Sequence, residues 1–99
     1  MSLGVAFSPE AQAHLDELGD YIAEASGSQV TAERYIRRLV KACLSLGRSP
    51  YRGTRRDDLG AGLRTTGFER RVTILFAVLE EQVWIVGVFY GGRQFEIEP

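Results

Sequence analysis

The sequence is poor in the residues that build covalent or metal-held scaffolds, with one cysteine, one histidine, one methionine, one tryptophan and three prolines in 99 residues. A lone Cys43 excludes an internal disulfide framework, and His14 as the only imidazole cannot complete a Cys/His zinc cluster. No metal or cofactor is expected. Long apolar runs are missing as well: the longest, Val72 to Leu79, is interrupted at Thr73 and falls far short of the ~20 residues of a membrane span. Met1 to Phe7 lacks a basic start and a long apolar run, so no signal peptide is read and the expected compartment is the cytoplasm. No nucleophile elbow, phosphate loop, CxxC or HExxH occurs. His14 sits among acids, and Cys43 lies on an apolar stripe where a small core residue belongs. General base catalysis therefore has no natural owner.

What is present suits one small domain over residues 1–99, because 44% of them are hydrophobic. That composition supports one modest core, and a chain of this size does not keep a large cavity open. The net charge of −1 hides a strong order along the chain. Residues 1–33 carry −6 with no Lys or Arg, residues 34–47 carry +4, residues 48–71 carry +4 and residues 72–99 carry −3. Eleven of the 12 basic residues are Arg, whose planar fork suits carboxylate and phosphate better than Lys does.

Periodicity gives the elements. Leu3, Val5 and Phe7 alternate as a short strand, and Ser8-Pro9 is an N-cap followed by a first helical residue. Ala11, Leu15, Leu18, Ile22 and Ala25 then share one helical stripe that Gly27 ends. From Val30 a second amphipathic helix sets Ala32, Tyr35, Ile36, Leu39, Val40, Cys43 and Leu46 against Arg34, Arg37, Arg38 and Lys41. The short link between the two predicts an antiparallel hairpin, with the acids of one helix near the bases of the other. Residues 48–62 read as a loop and Leu63 to Thr66 as a short strand. Glu69 to Leu79 and Gln82 to Tyr90 read as a hairpin of strands joined at Glu80-Glu81.

Those last strands are apolar on both faces. Val72, Ile74, Phe76 and Val78 oppose Leu75, Ala77 and Leu79; Val83, Ile85 and Phe89 oppose Trp84, Val86 and Val88. Two helices cover one face, so a tail, a second copy or another protein is expected on the other, and the isolated chain is expected to self-associate. Arg64, Arg70, Arg71, Tyr90 and Arg93 fall on strands or their ends, where they could clamp phosphate or anchor a protein partner.

The segments AFSPEAQAHLDELGDYIAEASG, AERYIRRLVKACLSLGRSPYRGTRRDDLGAGLRT and RRVTILFAVLEEQVWIVGVFYGGRQFE together resemble the ParE branch of the ParE/RelE toxins of bacterial toxin–antitoxin systems. The resemblance covers nearly the whole chain. It implies an α+β fold of order β-α-α-β-β-β, a helical hairpin on a small twisted antiparallel sheet. It also implies a ParD-like antitoxin of ribbon-helix-helix type that wraps the toxin, giving a hetero-oligomer without sequence-specific DNA binding by this chain. ParE-type relatives inhibit DNA gyrase, whereas RelE-type relatives cut messenger RNA on the ribosome. The second role would make Arg64 and Arg71 phosphate stabilisers and Tyr90 a proton-transfer partner. Two observations favour gyrase. The pI near 5.8 and single lysine fit poorly with docking on ribosomal RNA, and where relatives often read I-F-Y-R the chain reads ILFA, with Phe76 and Ala77. The residues expected to meet target or antitoxin are Arg64, Arg70, Arg71, Trp84, Tyr90 and Arg93. A third expectation is a weakly toxic relative that binds its antitoxin as a co-repressor.

Overall fold

The computed structural model describes residues 2–91. Its elements are β1 (Gly4–Phe7), α1 (Pro9–Ser26), α2 (Gln29–Ser45), β2 (Thr54–Arg55), β3 (Arg64–Phe68), β4 (Val72–Leu79) and β5 (Gln82–Tyr90). Local chemistry sets the helix ends. Ser8 Oγ accepts from the Ala11 amide at 3.0 Å, and Ser28 Oγ from the Thr31 amide at 3.1 Å, each satisfying a donor the helix leaves open. Gly27, at φ 70°, closes α1 in the left-handed region that a side chain would resist.

The sheet runs β1-β5-β4-β3-β2. It is antiparallel from β2 to β5, as expected, but β1 joins β5 in parallel, with Val5 opposite Val83 and Phe7 opposite Ile85. The sheet is therefore mixed. Parallel neighbours need a long crossover, which the helices and the other strands supply. The stretch read as one loop holds a short strand, since Thr54 and Arg55 pair with Thr65 and Arg64. Gly53 makes this approach possible: a Cβ there would lie 2.3 Å from the Thr65 carbonyl oxygen. No helix among the described residues is long and apolar enough to cross a membrane.

The core lies between the helical hairpin and one sheet face. Ala11, Leu15 and Leu18 of α1, Leu39 and Cys43 of α2, and Leu46 meet Val72, Ile74, Phe76, Val83, Ile85 and Val88. Within this packing, burial pushes the Cys43 thiol up to about 12, which keeps it protonated and non-nucleophilic. Val88 corrects the simple alternation. Leu75 pairs with Gly87 but Phe76 pairs with Ile85, leaving Val86 as an extra residue. This bulge reverses the phase of β5, so Val88 enters the core while Phe89 pairs with Thr73 on the opposite face. Ser8 donates its amide to the Ile85 carbonyl and its hydroxyl to the Val86 carbonyl, at 2.9 and 3.0 Å. The helix cap thereby also satisfies the bulge.

The opposite face is less bare than its sequence suggests. Leu75 and Ala77 are buried, Trp84 is half-buried, and Leu79 at the tip is 58% exposed. On this face the exposed large apolar side chain among the described residues is Leu79, at the β4–β5 tip. That tip is strained, because Glu80 and Glu81 sit at φ 50° and 60°, the values of a two-residue hairpin turn that favours Asn-Gly. The double substitution Glu80→Asn with Glu81→Gly is expected to stabilise the fold by about 1–2 kcal/mol, raising Tm by roughly 4–8 °C per kcal/mol. A thermal melt with unchanged or lower Tm would refute this.

Candidate functional site

Two clusters of charged and aromatic side chains stand at opposite ends of the helix-facing sheet surface. The first surrounds the C-terminal end of β5. Phe68 pairs with Val72, and Val72 with Tyr90, so the β3–β4 turn carrying Glu69, Arg70 and Arg71 lies close to Tyr90. The Arg71 carbonyl accepts from the Gly91 amide at 2.7 Å. Arg38 of α2 reaches this turn and donates to both Glu69 oxygens, at 2.9 and 3.2 Å. Its guanidinium lies 5.3 Å from the Tyr35 ring centre, and Tyr35 meets Phe68 edge-on at 5.6 Å. The Tyr35 hydroxyl is buried and finds no hydrogen-bond partner among the described residues. Burial, followed by the neighbouring Glu69 and Tyr90, raises its pKa. On the outer side, Tyr21 of α1 packs on Tyr90 with ring centres 5.3 Å apart.

The second cluster lies where β2 meets β3. Arg64 donates to the Tyr51 carbonyl at 2.7 Å and stacks its guanidinium 5.5 Å from the Tyr51 ring centre. With Arg55, Gly62 and Val78 these residues line a shallow cleft of about 180 Å³. Asp57 closes the loop, pairing with Arg55 at 2.9 Å and accepting the Gly62 amide at 3.0 Å. Arg56 makes a two-point pair with Asp58.

The six residues expected to contact target or partner therefore do not form one site. Arg71 and Tyr90 come together with Arg70 at the first cluster, whereas Arg64 belongs to the second. Tyr90 and Arg64 are two strands and four residues apart in register, roughly 16 Å between their Cα atoms. Trp84 pairs with Ala77 on the far face, and Arg93 lies outside the described residues. Phe76 and Ala77 are buried at 0% and 6% exposure.

Sequence reasoning missed Tyr51, Tyr21 and the structural use of His14. Nothing marks Tyr51, which the loop alone brings under Arg64. His14, Leu18 and Tyr21, however, recur at spacings of four and three on one edge of α1, a legible signal. His14 Nδ1 accepts the Val88 amide at 3.2 Å, satisfying a strand edge that β1 does not reach.

The ion pairs set a titration signature. The hydrogen bond from Arg38 holds Glu69 below the usual carboxylate range, that from Arg56 does so for Asp58, and the Gly62 amide followed by Arg55 does so for Asp57. Depressed folded values mean that the stability they contribute is complete above the unfolded carboxylate pKa of about 4 and is lost as pH falls through the folded values. An NMR titration of the carboxyl carbons should give three midpoints below those of the unfolded chain, and midpoints at or above them would contradict these contacts.

The comparisons with known proteins agree with this architecture. Residues 5–95 match the family described as the ParE toxin of type II toxin–antitoxin system, parDE. A solved structure from the chromosomal ParDE toxin–antitoxin system of P. aeruginosa is similar, with TM-score 0.78 and 21% identity over 91% of this chain and 97% of that one. A chain of the RelBE2 toxin–antitoxin complex from Mycobacterium tuberculosis is also similar, with TM-score 0.65 and 19% identity over 91% of this chain and 99% of that one. A search of curated proteins finds no significant match. Because the family match spans nearly the entire sequence and the helical hairpin on a mixed sheet is shared with both solved relatives, this chain belongs to the ParE toxin family of type II toxin–antitoxin systems.

Proposed function

We propose that this toxin acts by inhibiting DNA gyrase and is neutralised by a ParD-like, ribbon-helix-helix antitoxin. The observation that carries the choice of target is the separation of Arg64 from Arg71 and Tyr90. A nuclease built on these residues needs them to converge on one phosphate, yet Arg64 is engaged with Tyr51 some 16 Å along the sheet from Tyr90. The low pI of about 5.8 supports the same reading, since affinity for ribosomal RNA comes largely from phosphate neutralisation. Arg64, Arg70, Arg71, Trp84, Tyr90 and Arg93 are the proposed contacts to gyrase or antitoxin. The exposed Leu79 and half-buried Trp84 supply apolar surface for the antitoxin to cover.

Expression in growing bacteria tests this. Growth should stop while plasmid DNA loses supercoiling and messenger RNA stays intact, and co-expression of the antitoxin should restore growth. Arrest with cut messages and normally supercoiled plasmid would replace gyrase by the ribosome. No arrest, together with tight antitoxin binding, would leave only the co-repressor role.

A further inference from the structure

The face of the helical hairpin that turns away from the sheet carries two stripes of opposite charge. On α1 it presents Asp16, Asp20 and Glu24, and on α2 it presents Arg34, Arg37 and Lys41, with all six side chains exposed. The sequence predicts that these acids and bases lie near one another, yet none of the six forms an ion pair with another. Glu33 stands at the inner edge of α2 and leaves that stripe with two net positive charges against three negative ones on α1. Between the stripes runs an open groove of about 500 Å³ in which Leu15, Gly19, Ala32 and Ile36 supply apolar surface. Val30 and Leu44, at the two ends of the basic stripe, are 54% and 52% exposed.

This pattern is complementary to itself. A Cβ on Gly19 would lie 3.5 Å from Ile36 Cγ1, so the antiparallel helices are level at these residues. Counting outward from there, Asp16 is level with Leu39, Asp20 with Tyr35 and Glu24 with Thr31. A two-fold axis parallel to the helices, passing between two facing hairpins, lays α1 of each copy over α2 of the other and leaves every level unchanged. Asp16 then falls between Arg37 and Lys41 of the second copy, Asp20 between Arg34 and Arg37, and Glu24 between Val30 and Arg34. The symmetry makes each contact twice. The alternative face-to-face axis, perpendicular to the helices, sets acids on acids and bases on bases, which like-charge repulsion disfavours.

We infer that the chain forms a two-fold dimer through the outer face of its helical hairpin, with α1 of each copy lying on α2 of the other. Helices of 18 and 17 residues are roughly 26 Å long and, two abreast, roughly 20 Å wide, so each copy offers about 500 Å². A total of about 1,000 Å² falls short of the standard interface of about 1,600 Å². The dimer is therefore weak, and because its charges are exposed it is sensitive to salt. The inference does not rest on the gyrase reading.

Sedimentation equilibrium of the full chain should show a reversible dimer with Kd on the order of 10 µM at low ionic strength, weakened about tenfold or more between about 0.05 M and about 0.5 M NaCl. Two sets of substitutions, each confined to exposed positions, test the pairing. Asp16→Lys, Asp20→Lys and Glu24→Lys together should make the chain monomeric, and so should Arg34→Glu, Arg37→Glu and Lys41→Glu, with unchanged circular dichroism. A chain carrying both sets should dimerise again, and the two singly reversed chains should pair when mixed. The single changes Asp20→Lys and Arg37→Glu should each weaken the dimer by about threefold or more, which keeps the test open if a triple variant unfolds. Leu79→Glu, at the β4–β5 tip, should leave it unchanged.

A parent chain that stays monomeric, or a dimer that survives reversal of either stripe, overturns the inference. So does loss of the dimer on Leu79→Glu, which would move the association to the strands. Failure of the doubly reversed chain to recover the dimer overturns the pairing of α1 with α2. A monomeric parent whose affinity for its antitoxin falls on reversal of one stripe would give this face to the antitoxin instead. Neither gyrase inhibition nor growth arrest enters these readouts, so failure of the dimer and failure of the proposed target remain distinguishable.

Discussion

Phe76→Ala is expected to cost the fold a large share of its stability. Phe76 is fully buried at the centre of β4, opposite Arg64 on one neighbour and Ile85 on the other, beside the bulge that sets the phase of β5. Its truncation removes a large apolar side chain and opens a cavity, which costs about 3–5 kcal/mol. A domain of this size has only about 5–15 kcal/mol in total. Urea denaturation should show a midpoint sharply lower at an unchanged slope, and Phe76→Leu, closer in volume, should lose under half as much. An alanine variant as stable as the parent would mean that the core lies elsewhere.

The second large effect is functional and concerns Arg64→Ala. Arg64 is half-buried, held by the Tyr51 carbonyl and stacked against its ring, so its guanidinium is positioned before any partner arrives. Preorganised arginines of this kind are frequent anchors of protein interfaces. Its removal is expected to weaken growth arrest by on the order of tenfold, equivalent to about 1.4 kcal/mol of interaction free energy. Folding stability should change by less than about 1 kcal/mol, because the hydrogen bond and the ring stacking that hold Arg64 lie at the surface. Tyr51→Ala should reproduce part of the functional defect through freer movement of Arg64. The expression level needed to halt growth, measured beside thermal unfolding, separates the two effects. Unchanged arrest would remove Arg64 from the functional surface.

Much of the architecture was legible in the residues for identifiable reasons. Ser8-Pro9, Gly27 and the spacing of three and four among Ala11, Leu15 and Leu18 mark the first helix by local chemistry, and the dense Val and Ile of β4 and β5 mark a hairpin. The features that escaped depend on contacts distant in sequence. Val86 carries no local sign that it is an extra residue; the bulge follows from pairing with β4 and from the Ser8 hydroxyl that satisfies it. The parallel placement of β1 and the short pairing of β2 have the same origin. For the candidate site, residue type singles out Arg64, Arg71 and Tyr90 as expectations, but only strand register shows that Arg64 stands apart from the other two. Tyr51 escaped because an exposed loop tyrosine looks like any other until an arginine stacks on it.

The most direct measurement is a titration of the purified chain into a gyrase supercoiling reaction, with translating ribosomes and messenger exposed to the same concentrations. Gyrase should lose supercoiling activity and accumulate linear DNA while the message stays whole. Normal supercoiling beside ribosome-dependent cutting of the message would contradict the proposed action.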